Sequence, residues 1–331
     1  MFSDPVETGY GGASPGAVGA DANILPDVAQ DTVTHAPSTL ERVGMRAIET
    51  AIRYRTENGE VVRAPALADA FVSLDDANAR GIHMSRLYLA LDQTLEAEVF
   101  SIDTLGRLLE NFVHSHNDLS RSANVKIAFD YLRRRGSLLS GREAWRTYPV
   151  EFEAETLEGK VTRTLKVRLV YSSACPCSTA LSGALMQKRF ETEFAGRTSV
   201  PMRQAAHWIA TVGAVTAIPH SQRSHGEILV RLDDSVSGPF DAMVDRIVDG
   251  IEEALGTAVQ AAVKRADEQE FARLNGMNAM FCEDAARRMK KVLEELPGIV
   301  DYRAEARHFE SLHPHDATAI TVKGVAGGFR P

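Results

Sequence analysis

The sequence is short of several features that would place it in a specialised class of protein. Its 331 residues include three cysteines, Cys175, Cys177 and Cys282. That number does not make a disulfide framework and fits a reducing compartment. No apolar run approaches the ~20 residues that span a bilayer, and the N-terminus lacks the basic start and apolar block of a signal peptide. We therefore expect a cytoplasmic protein with no membrane partner.

Positive charge is also in short supply. The chain has 45 acidic and 37 basic residues, which gives a net charge of −8. A polyanion would have to meet a local basic patch, so general nucleic-acid binding is disfavoured. The remaining composition, 44% hydrophobic and 25% charged, is that of an ordinary globular protein. The length allows two domains or one large duplicated domain.

The first half of the chain predicts a tail and one folded module. Residues 1–37 are rich in Gly, Ala, Pro, Ser, Thr and Asp without an apolar period, so we expect a disordered tail. Over residues 38–158, alternating apolar residues predict two strands before and two strands after an amphipathic helix. Ser101 is the expected N-cap of that helix, which should end near His116. The Asn58-Gly59 pair predicts a tight turn between the first two strands.

Residues 159–331 repeat this order. A strand over Leu165–Tyr171 leads into the cysteine loop, and another covers Ile228–Leu232. Pro239 suits a first helical position, and Asn278 suits the N-cap of a second helix. Two closing strands complete the module, over Tyr302–Phe309 and Ala317–Val322. The chain therefore predicts an α+β fold of two tandem β-β-α-α-β-β modules, with antiparallel sheets and helices on one face.

An inserted segment, residues 181–219, lengthens the loop between two strands that should pair as neighbours. Met186, Phe190 and Phe194 follow one another at four-residue spacing, which predicts one stripe of an amphipathic helix. Loops of this length are usually lids or interaction surfaces.

Two short segments carry groups that packing does not need. Cys175 and Cys177 are separated by a single residue, which is too close for an unstrained disulfide. One or both sulfurs are therefore expected to be free to bind a metal or to act as a nucleophile. A thiolate, an imidazole and a carboxylate make a three-ligand metal site with one position open to water. Cys175 and His220 come together if the strands beside them pair as a hairpin. The third ligand could come from an acidic run, although such a run is more often a solvated helix face and composition does not choose among its members: Asp267, Glu268 and Glu270.

Six short blocks occur in an order that points to one enzyme family: Pro26-Asp27-Val28, Gly81-Ile82-His83-Met84-Ser85-Arg86, Cys175-Pro176-Cys177-Ser178, His220-Ser221-Gln222-Arg223-Ser224, Lys264-Arg265-Ala266-Asp267-Glu268 and Phe309-Glu310-Ser311-Leu312-His313. The chain resembles GTP cyclohydrolase IB, the prokaryotic enzyme that opens folate synthesis, over about residues 26–325. Six blocks in order are a specific signal, whereas any single one would be weak.

The resemblance implies a bimodular tunnelling fold, assembled as a homotetramer with sites at subunit interfaces. It implies metal-dependent conversion of GTP and water into 7,8-dihydroneopterin triphosphate and formate, the first step of tetrahydrofolate synthesis. Cys175, His220 and Glu268 are the implied metal ligands, and Cys175 is implied to be essential for catalysis. These donors accept Zn, Mn or Fe, so the sequence does not identify the metal.

The resemblance also assigns residues to the substrate. Glu283 is the implied acid that pairs with the N–H edge of guanine, and His313 is the implied proton-transfer residue. Without the resemblance, Glu283 is an acid favoured by the dipole of a first helical turn, and His313 is a turn histidine. A further group is implied to bind the triphosphate, since arginine offers a planar fork to phosphate oxygens: Arg223, Ser224, His83, Ser85 and Arg86.

Two other functions remain open at this point. A tunnelling-fold nitrile reductase acting on a deazaguanine would use a cysteine as covalent nucleophile and a nicotinamide for hydride, and the His220 block argues against it. A non-catalytic purine- or pterin-binding protein of the same fold would need Glu283 but no metal. Metal content together with GTP turnover distinguishes the three.

Overall fold

A computed structural model describes residue 34 and residues 36–56, 59–157 and 159–331 of the chain. Most of the predicted tail therefore lies outside the described residues, as do Asn58 of the predicted turn and the Pro26-Asp27-Val28 block. Arg55 and Val61, on either side of that turn, pair across the first two strands. This pairing agrees with a tight connection between them.

The described chain is built on one antiparallel sheet of eight strands, in which each strand pairs with the next one in sequence. Side chains alternate between two faces along a strand, and one face is buried under the helices. In β6, every second residue from Gln222 to Leu232 is buried. The strands are β1 (Leu40–Arg55), β2 (Val61–Leu74), β3 (Ala123–Gly136), β4 (Glu143–Leu157), β5 (Lys160–Ala174), β6 (Ser221–Leu232), β7 (Ile299–His308) and β8 (Ala317–Val322).

Seven α-helices connect these strands in the described part of the chain, and none is long and apolar enough to cross a membrane. The first module has two helices between its strand pairs, and only the second of them, capped by Ser101, is predicted individually from the sequence. In the second module three helices lie between β6 and β7, one more than the two predicted individually. The helices are α1 (Met84–Ala97), α2 (Ile102–Ser115), α3 (Pro176–Glu193), α4 (Met202–Ile209), α5 (Asp241–Leu255), α6 (Arg265–Met277) and α7 (Cys282–Glu295).

The helix ends agree with the sequence at one cap and differ at two. Ser101 accepts a hydrogen bond from the Thr104 N–H at 3.3 Å, as expected for the N-cap of α2. Helix α5 begins after Pro239, with Phe240 as its N-cap. The N-cap role predicted for Asn278 is wrong. Asn278 closes the C-terminal end of α6, and its amide donates to the Leu255 carbonyl at 2.6 Å.

One hydrophobic core lies between the buried sheet face and the helices, and it runs through both modules. Phe240, just before α5, packs against Phe129 and Phe152 of the first module, with 5.3 Å between ring centroids in each pair. Aromatic pairs of this kind stabilise the fold beyond the effect of burying their area. The two predicted modules therefore share a sheet and a core.

Strands β4 and β5 join the modules along only part of their length. They pair over Val150–Leu157 of β4 and Lys160–Val167 of β5, and they separate beyond Val150. We call the gap beyond that point the seam. Backbone from the segment after α5 covers the β5 side of the seam, where the Ser172 N–H donates to the Thr257 carbonyl at 2.9 Å.

Charged side chains join the modules beside the seam. Three acids at i, i+4 and i+7 of α5 form ion pairs with three arginines of β3 and β4. Arg135 and Arg146 each approach the Glu252 carboxylate to 2.6 Å, and that side chain is only 6% exposed. Loss of one partner from such a buried pair costs several kcal/mol, because the other charge is left uncompensated. The inter-module ion pairs comprise Asp245, Asp249 and Glu252 of α5 with Arg133, Arg135 and Arg146.

The insert, residues 181–219, contains most of α3, all of α4 and a short 3-10 turn. Phe190 and Phe194 of the predicted stripe pack against Trp208 of α4, with ring centroids 5.2 and 6.1 Å apart. Met186, the first residue of the stripe, is 37% exposed. The predicted helix is confirmed, and its apolar contacts are made within the insert itself.

Candidate active site

The candidate site lies where β5 ends and β6 begins. The two strands pair up to Ala174 opposite Ser221, and the Cys175 N–H donates to the His220 carbonyl at 3.2 Å. The adjacency that the sequence predicts for Cys175 and His220 is therefore confirmed. Cys175 is also the N-cap residue of α3, so the positive end of that helix dipole lies beside it.

His220 is held at its backbone and at one ring nitrogen. Its N–H donates to Ser178 Oγ at 3.1 Å. Its Nδ1 lies 3.2 Å from Gln222 Oε1 and 3.8 Å from Glu310 Oε2. The side chains of His220 and Glu310 are 21% and 13% exposed, so this contact is largely shielded from water. Two oxygen atoms thus occupy the Nδ1 side of the imidazole.

Buried polar side chains continue from His220 along the helix-covered face. Gln222 donates from Nε2 to Ser173 Oγ at 2.9 Å, and the hydroxyls of Ser173 and Ser224 lie 2.8 Å apart. Both serines are fully buried. The hydroxyl of Ser224, predicted to bind phosphate, is therefore directed at Ser173 inside the chain. Arg223 precedes it on the opposite face and is exposed.

The loop between β7 and β8 reaches the same end of the sheet. The Phe309 N–H donates to the Arg223 carbonyl at 3.3 Å, and Glu310 follows directly. His313 is exposed in this loop, and its ring stacks on that of His315 with centroids 5.1 Å apart. The predicted proton-transfer histidine thus lies at the end of the sheet that carries Cys175 and His220.

Glu283 lies in the first turn of α7 and is exposed. Its own backbone N–H and the Cys282 thiol, 3.3 Å away, lower the pKa of its carboxyl. Burial raises the pKa of Cys282 to about 11, so this thiol stays protonated at neutral pH. Nearby, His308 Nε2 lies 3.0 Å from the Tyr171 hydroxyl, and burial lowers the pKa of His308 to about 4. Glu283 therefore has the geometry of an acid favoured by a helix N-terminus.

Helix α6 runs from the loop between β3 and β4 to the end of β5. Its first turn is fixed by Asp267, which is fully buried and accepts hydrogen bonds from the Leu139 and Ser140 N–H groups at 2.8 Å each. The Ser140 hydroxyl and the backbone donors hold the pKa of Asp267 well below its usual range. At the other end, Ser172 Oγ donates to Asn275 Oδ1 at 2.7 Å. Asp267 is thus an anchor for the helix.

Glu268 is exposed in that first turn, at the end of α6 that lies away from β5. Glu270, the remaining acid of the run, binds the Arg273 guanidinium at 2.6 and 2.8 Å. In the ranges that the structure describes, no three His, Cys, Asp or Glu side chains are placed to hold a metal ion together. The structure therefore brings Cys175 and His220 together and leaves Glu268 apart from them.

The predicted phosphate-binding block His83–Arg86 lies at the start of α1, after β2. The strand register places the end of β2 beside the beginning of β5, through the paired residues Val72, Ala123, Thr156 and Val161. Cys175 follows the other end of β5, which is 15 residues long. At 3.3 Å per residue, the two ends of that strand are on the order of 45 Å apart. One chain therefore holds the two predicted groups at opposite ends of its sheet.

Two residues at the site have no role in the sequence prediction, Gln222 and Glu310. Each lies inside a block that carries the resemblance, beside residues that were assigned. The period of a strand is the signal for Gln222, because residues two apart share a face and Gln222 follows His220 at that spacing. Glu310 lies in a loop, where no periodicity points to it.

The chain matches the family model of type I GTP cyclohydrolase FolE2 over residues 25–319. It belongs to this family. A curated GTP cyclohydrolase FolE2 from Pseudoalteromonas translucida is 44% identical over 306 residues, which cover 92% of this chain and 100% of the relative. A FolE2 from Hydrogenovibrio crunogenus is 41% identical over 305 residues, covering 92% and 96%.

Solved structures with the same architecture include uricases. The uricase from Arthrobacter globiformis overlaps this FolE2 family member with a TM-score of 0.53 at 9% identity, covering 87% of this chain and 95% of the uricase. A hyper-thermostable AgUricase mutant gives a TM-score of 0.54 at the same identity, covering 88% and 94%. At this identity the likeness shows the fold alone. The fold is the tunnelling fold, as predicted.

Proposed function

We propose that this FolE2 family member converts GTP and water into 7,8-dihydroneopterin triphosphate and formate, the first step of tetrahydrofolate biosynthesis. The observation that carries the proposal is the placement of Cys175 beside His220 at the end of the β5–β6 hairpin. Neither a thiol nor an imidazole is needed there for packing. We also propose that the enzyme is cytoplasmic, because its three cysteines are free thiols.

The side chains at the hairpin end fit a divalent metal. Thiolate and imidazole are suitable ligands, and we propose Cys175 and His220 as two of them and Glu268 as the third. A metal held there supplies Lewis-acid activation of water; its identity, Zn, Mn or Fe, is open. Because Glu268 lies apart within one chain, the proposal requires it to come from a second subunit. Within one chain, the Glu310 carboxylate lies 3.8 Å from His220 Nδ1.

Two acids are candidates for holding the guanine edge. A carboxylate suits two adjacent purine donors because it offers two acceptor oxygens. The carboxylate of Glu283 accepts from its own helix turn and from Cys282, whereas that of Glu310 lies at His220. We propose Glu310 for this role because it lies beside His220, and Glu283, to which the resemblance points and whose helix begins beside Ala174, is the alternative.

The triphosphate and the proton transfers are assigned to side chains that are exposed or, in the case of His83, partly buried. Arg223 offers a guanidinium at the hairpin end, and His83, Ser85 and Arg86 offer donors at the opposite end of the sheet. Ser224, whose hydroxyl is bound to Ser173, would support this region from beneath. His313 is proposed to move protons during ring opening, since imidazole exchanges protons near neutral pH.

The separation within one chain supports an assembly with shared sites. Residues at opposite ends of a sheet can act on one substrate only when two copies of the chain meet. We propose a homotetramer in which the hairpin end of one subunit faces the block His83–Arg86 of the next. Closed symmetric assemblies are the usual outcome of such contacts.

Metal analysis of the purified enzyme, combined with GTP turnover and formate detection, tests the function. We expect bound divalent metal, formate release from GTP, and loss of both in the Cys175→Ala variant. Protein that carries metal but releases no formate from GTP would overturn the proposed reaction. A companion pair, Glu268→Gln and Glu310→Gln, assigns the third ligand by which of the two lowers metal content.

A further inference from the structure

A chain of hydrogen bonds leads from His220 into the interior of the β5–β6 hairpin. His220 Nδ1 meets Gln222 Oε1 at 3.2 Å, Gln222 Nε2 donates to Ser173 Oγ at 2.9 Å, and Ser173 Oγ meets Ser224 Oγ at 2.8 Å. Gln222 is 9% exposed, and both serines are fully buried. Ser173 and Gln222 are directly paired across the two strands, so the backbone fixes the spacing of this chain.

The order of donors and acceptors determines which ring nitrogen of His220 carries hydrogen. A glutamine amide has one accepting oxygen and one donating nitrogen. In the structure Nε2 of Gln222 faces Ser173 and Oε1 faces His220, and an amide oxygen can only accept. The second neighbour of Nδ1, Glu310 Oε2 at 3.8 Å, is also an acceptor. Both neighbours therefore require hydrogen on Nδ1, and the lone pair of the neutral ring is on Nε2.

We propose that Gln222 is a positioning residue that fixes His220 in the Nδ1–H tautomer and so presents Nε2 as the metal-ligating atom. In this orientation Ser173 accepts from the amide nitrogen of Gln222, and the Glu310 carboxylate, which cannot donate, favours the same arrangement at Nδ1. A rotated amide would place a donor against Nδ1 and move the lone pair to the wrong side of the ring. The inference rests on the proposed function for the metal, but the tautomer itself can be measured without metal.

Groups that orient a metal-binding histidine usually change metal affinity by about 10- to 100-fold when they are removed. If Gln222 only filled space, its replacement would not change which ring nitrogen of His220 carries hydrogen. Replacement of Gln222 by an apolar side chain of similar length should therefore alter the ring nitrogen that carries hydrogen and weaken metal binding. A carboxylate at the same position keeps an acceptor toward Nδ1 and should preserve the tautomer.

The first arm of the test is solid-state ¹⁵N spectroscopy of the apoprotein labelled only at histidine, at pH 8. The chain has ten histidines. The signals of His220 are identified as those that are missing from the spectrum of the His220→Asn variant. We expect a protonated Nδ1 in the wild type and a shift toward protonated Nε2 in Gln222→Met. Protonated Nε2 in the wild type would overturn the proposal, whatever the catalytic activity.

The second arm is titration of the apoprotein with Zn²⁺ against a competing chelator. We expect Gln222→Met to bind Zn²⁺ about 10- to 100-fold more weakly than the wild type and Gln222→Glu to recover most of the affinity. Gln187→Met is the matched control, because Gln187 is exposed on α3 and bonds only to Glu191 among the described residues. Wild-type affinity in folded Gln222→Met would also overturn the proposal. Absence of Zn²⁺ binding in the wild type would instead count against the proposed metal site, and the first arm would still decide the tautomer.

Discussion

At the residue scale, the central question is which carboxylate holds the substrate. Glu310→Gln should lower kcat/KM for GTP at least about tenfold while leaving the metal bound, because an amide offers one acceptor and one donor where two acceptors are needed. A buried donor left without a partner costs about 1–3 kcal/mol. Steady-state kinetics and metal analysis on the same preparation measure the two effects.

Glu283→Gln is the matched control for that experiment. Glu283 is an exposed acid in a first helical turn, so neutralising it should lower the free energy of unfolding by only a few tenths of a kcal/mol. We expect kcat/KM of the variant to stay within about twofold of the wild type. The reverse pattern, with activity lost at Glu283 and kept at Glu310, would transfer the substrate role to Glu283. Loss of metal in Glu310→Gln would make Glu310 a ligand.

The two structurally different thiols give a second prediction. Cys175→Ala should abolish turnover and lower metal content, whereas Cys282→Ala should keep both. Cys282 is the first residue of α7 and is buried, and its raised pKa of about 11 keeps it protonated and unreactive. Metal content measured by elemental analysis checks both variants, and an unchanged content in Cys175→Ala would contradict the ligand assignment.

The sequence predicts the meeting of Cys175 and His220 because a hairpin brings the ends of its loop together however long the loop is. It does not predict the burial of Ser224, because a serine in a motif reads equally well as a phosphate contact or as an interior hydroxyl. Nor does it predict the contact of Glu310 with His220, which depends on the path of the loop after β7. Strand periodicity is readable from the chain, whereas the course of a loop is not.

At the scale of elements, the end of β7 carries a third prediction, on acid stability. Burial lowers the pKa of His308 from 6.5 to about 4. Between these values the unfolded chain binds the proton more readily than the folded one, so the stability contributed here is full above about pH 6.5 and falls as the pH drops toward 4. Between pH 7.5 and pH 5, we expect this effect to lower the free energy of unfolding by about 2 kcal/mol.

His308→Gln isolates that effect. Glutamine still offers an acceptor to the Tyr171 hydroxyl and does not titrate. Urea unfolding at pH 7.5 and pH 5 should show a smaller loss in the variant than in the wild type. Equal losses in the two proteins would mean that His308 is protonated in the folded state. Carboxylates with lowered pKa values, such as Asp249 and Glu305, contribute mainly below this range and equally in both.

Helices were predicted well where a cap and an apolar stripe coincide, as in α2 with Ser101. Asn278 was misassigned because an asparagine satisfies either end of a helix, and here its side chain binds the Leu255 carbonyl at the end of a neighbouring helix. That contact depends on tertiary packing, which the local sequence does not contain.

At the scale of the whole molecule, the two groups of predicted site residues at opposite ends of the sheet give a fourth prediction. Cys175→Ala and Arg86→Ala should each be inactive alone. Refolded together in equal amounts, they should recover about a quarter of the wild-type activity, since one site in four combines two intact halves in a randomly mixed symmetric assembly. GTP turnover of the mixed and separate preparations measures this.

Arg86 also donates to the Ser115 carbonyl at 2.8 Å at the end of α2, so the folding of its variant must be checked first. Circular dichroism and size measurement of the separate preparations serve this purpose. Mixed protein that is folded and assembled but remains inactive would contradict the shared site.

The seam gives the molecule a mechanical property. The two modules share strand hydrogen bonds only where β4 and β5 are paired. Beyond that range the two parts of the sheet are connected by the inter-module ion pairs and by the backbone around Thr257. A small rotation of one module against the other at the seam breaks no hydrogen bond between β4 and β5, because none is formed there. In a closed ring, every subunit must turn through the same fixed angle, and a rigid chain would pass any misfit on to its active sites. In the proposed homotetramer, a bend along the seam would take up such a misfit and leave the geometry of the β5–β6 hairpin undisturbed.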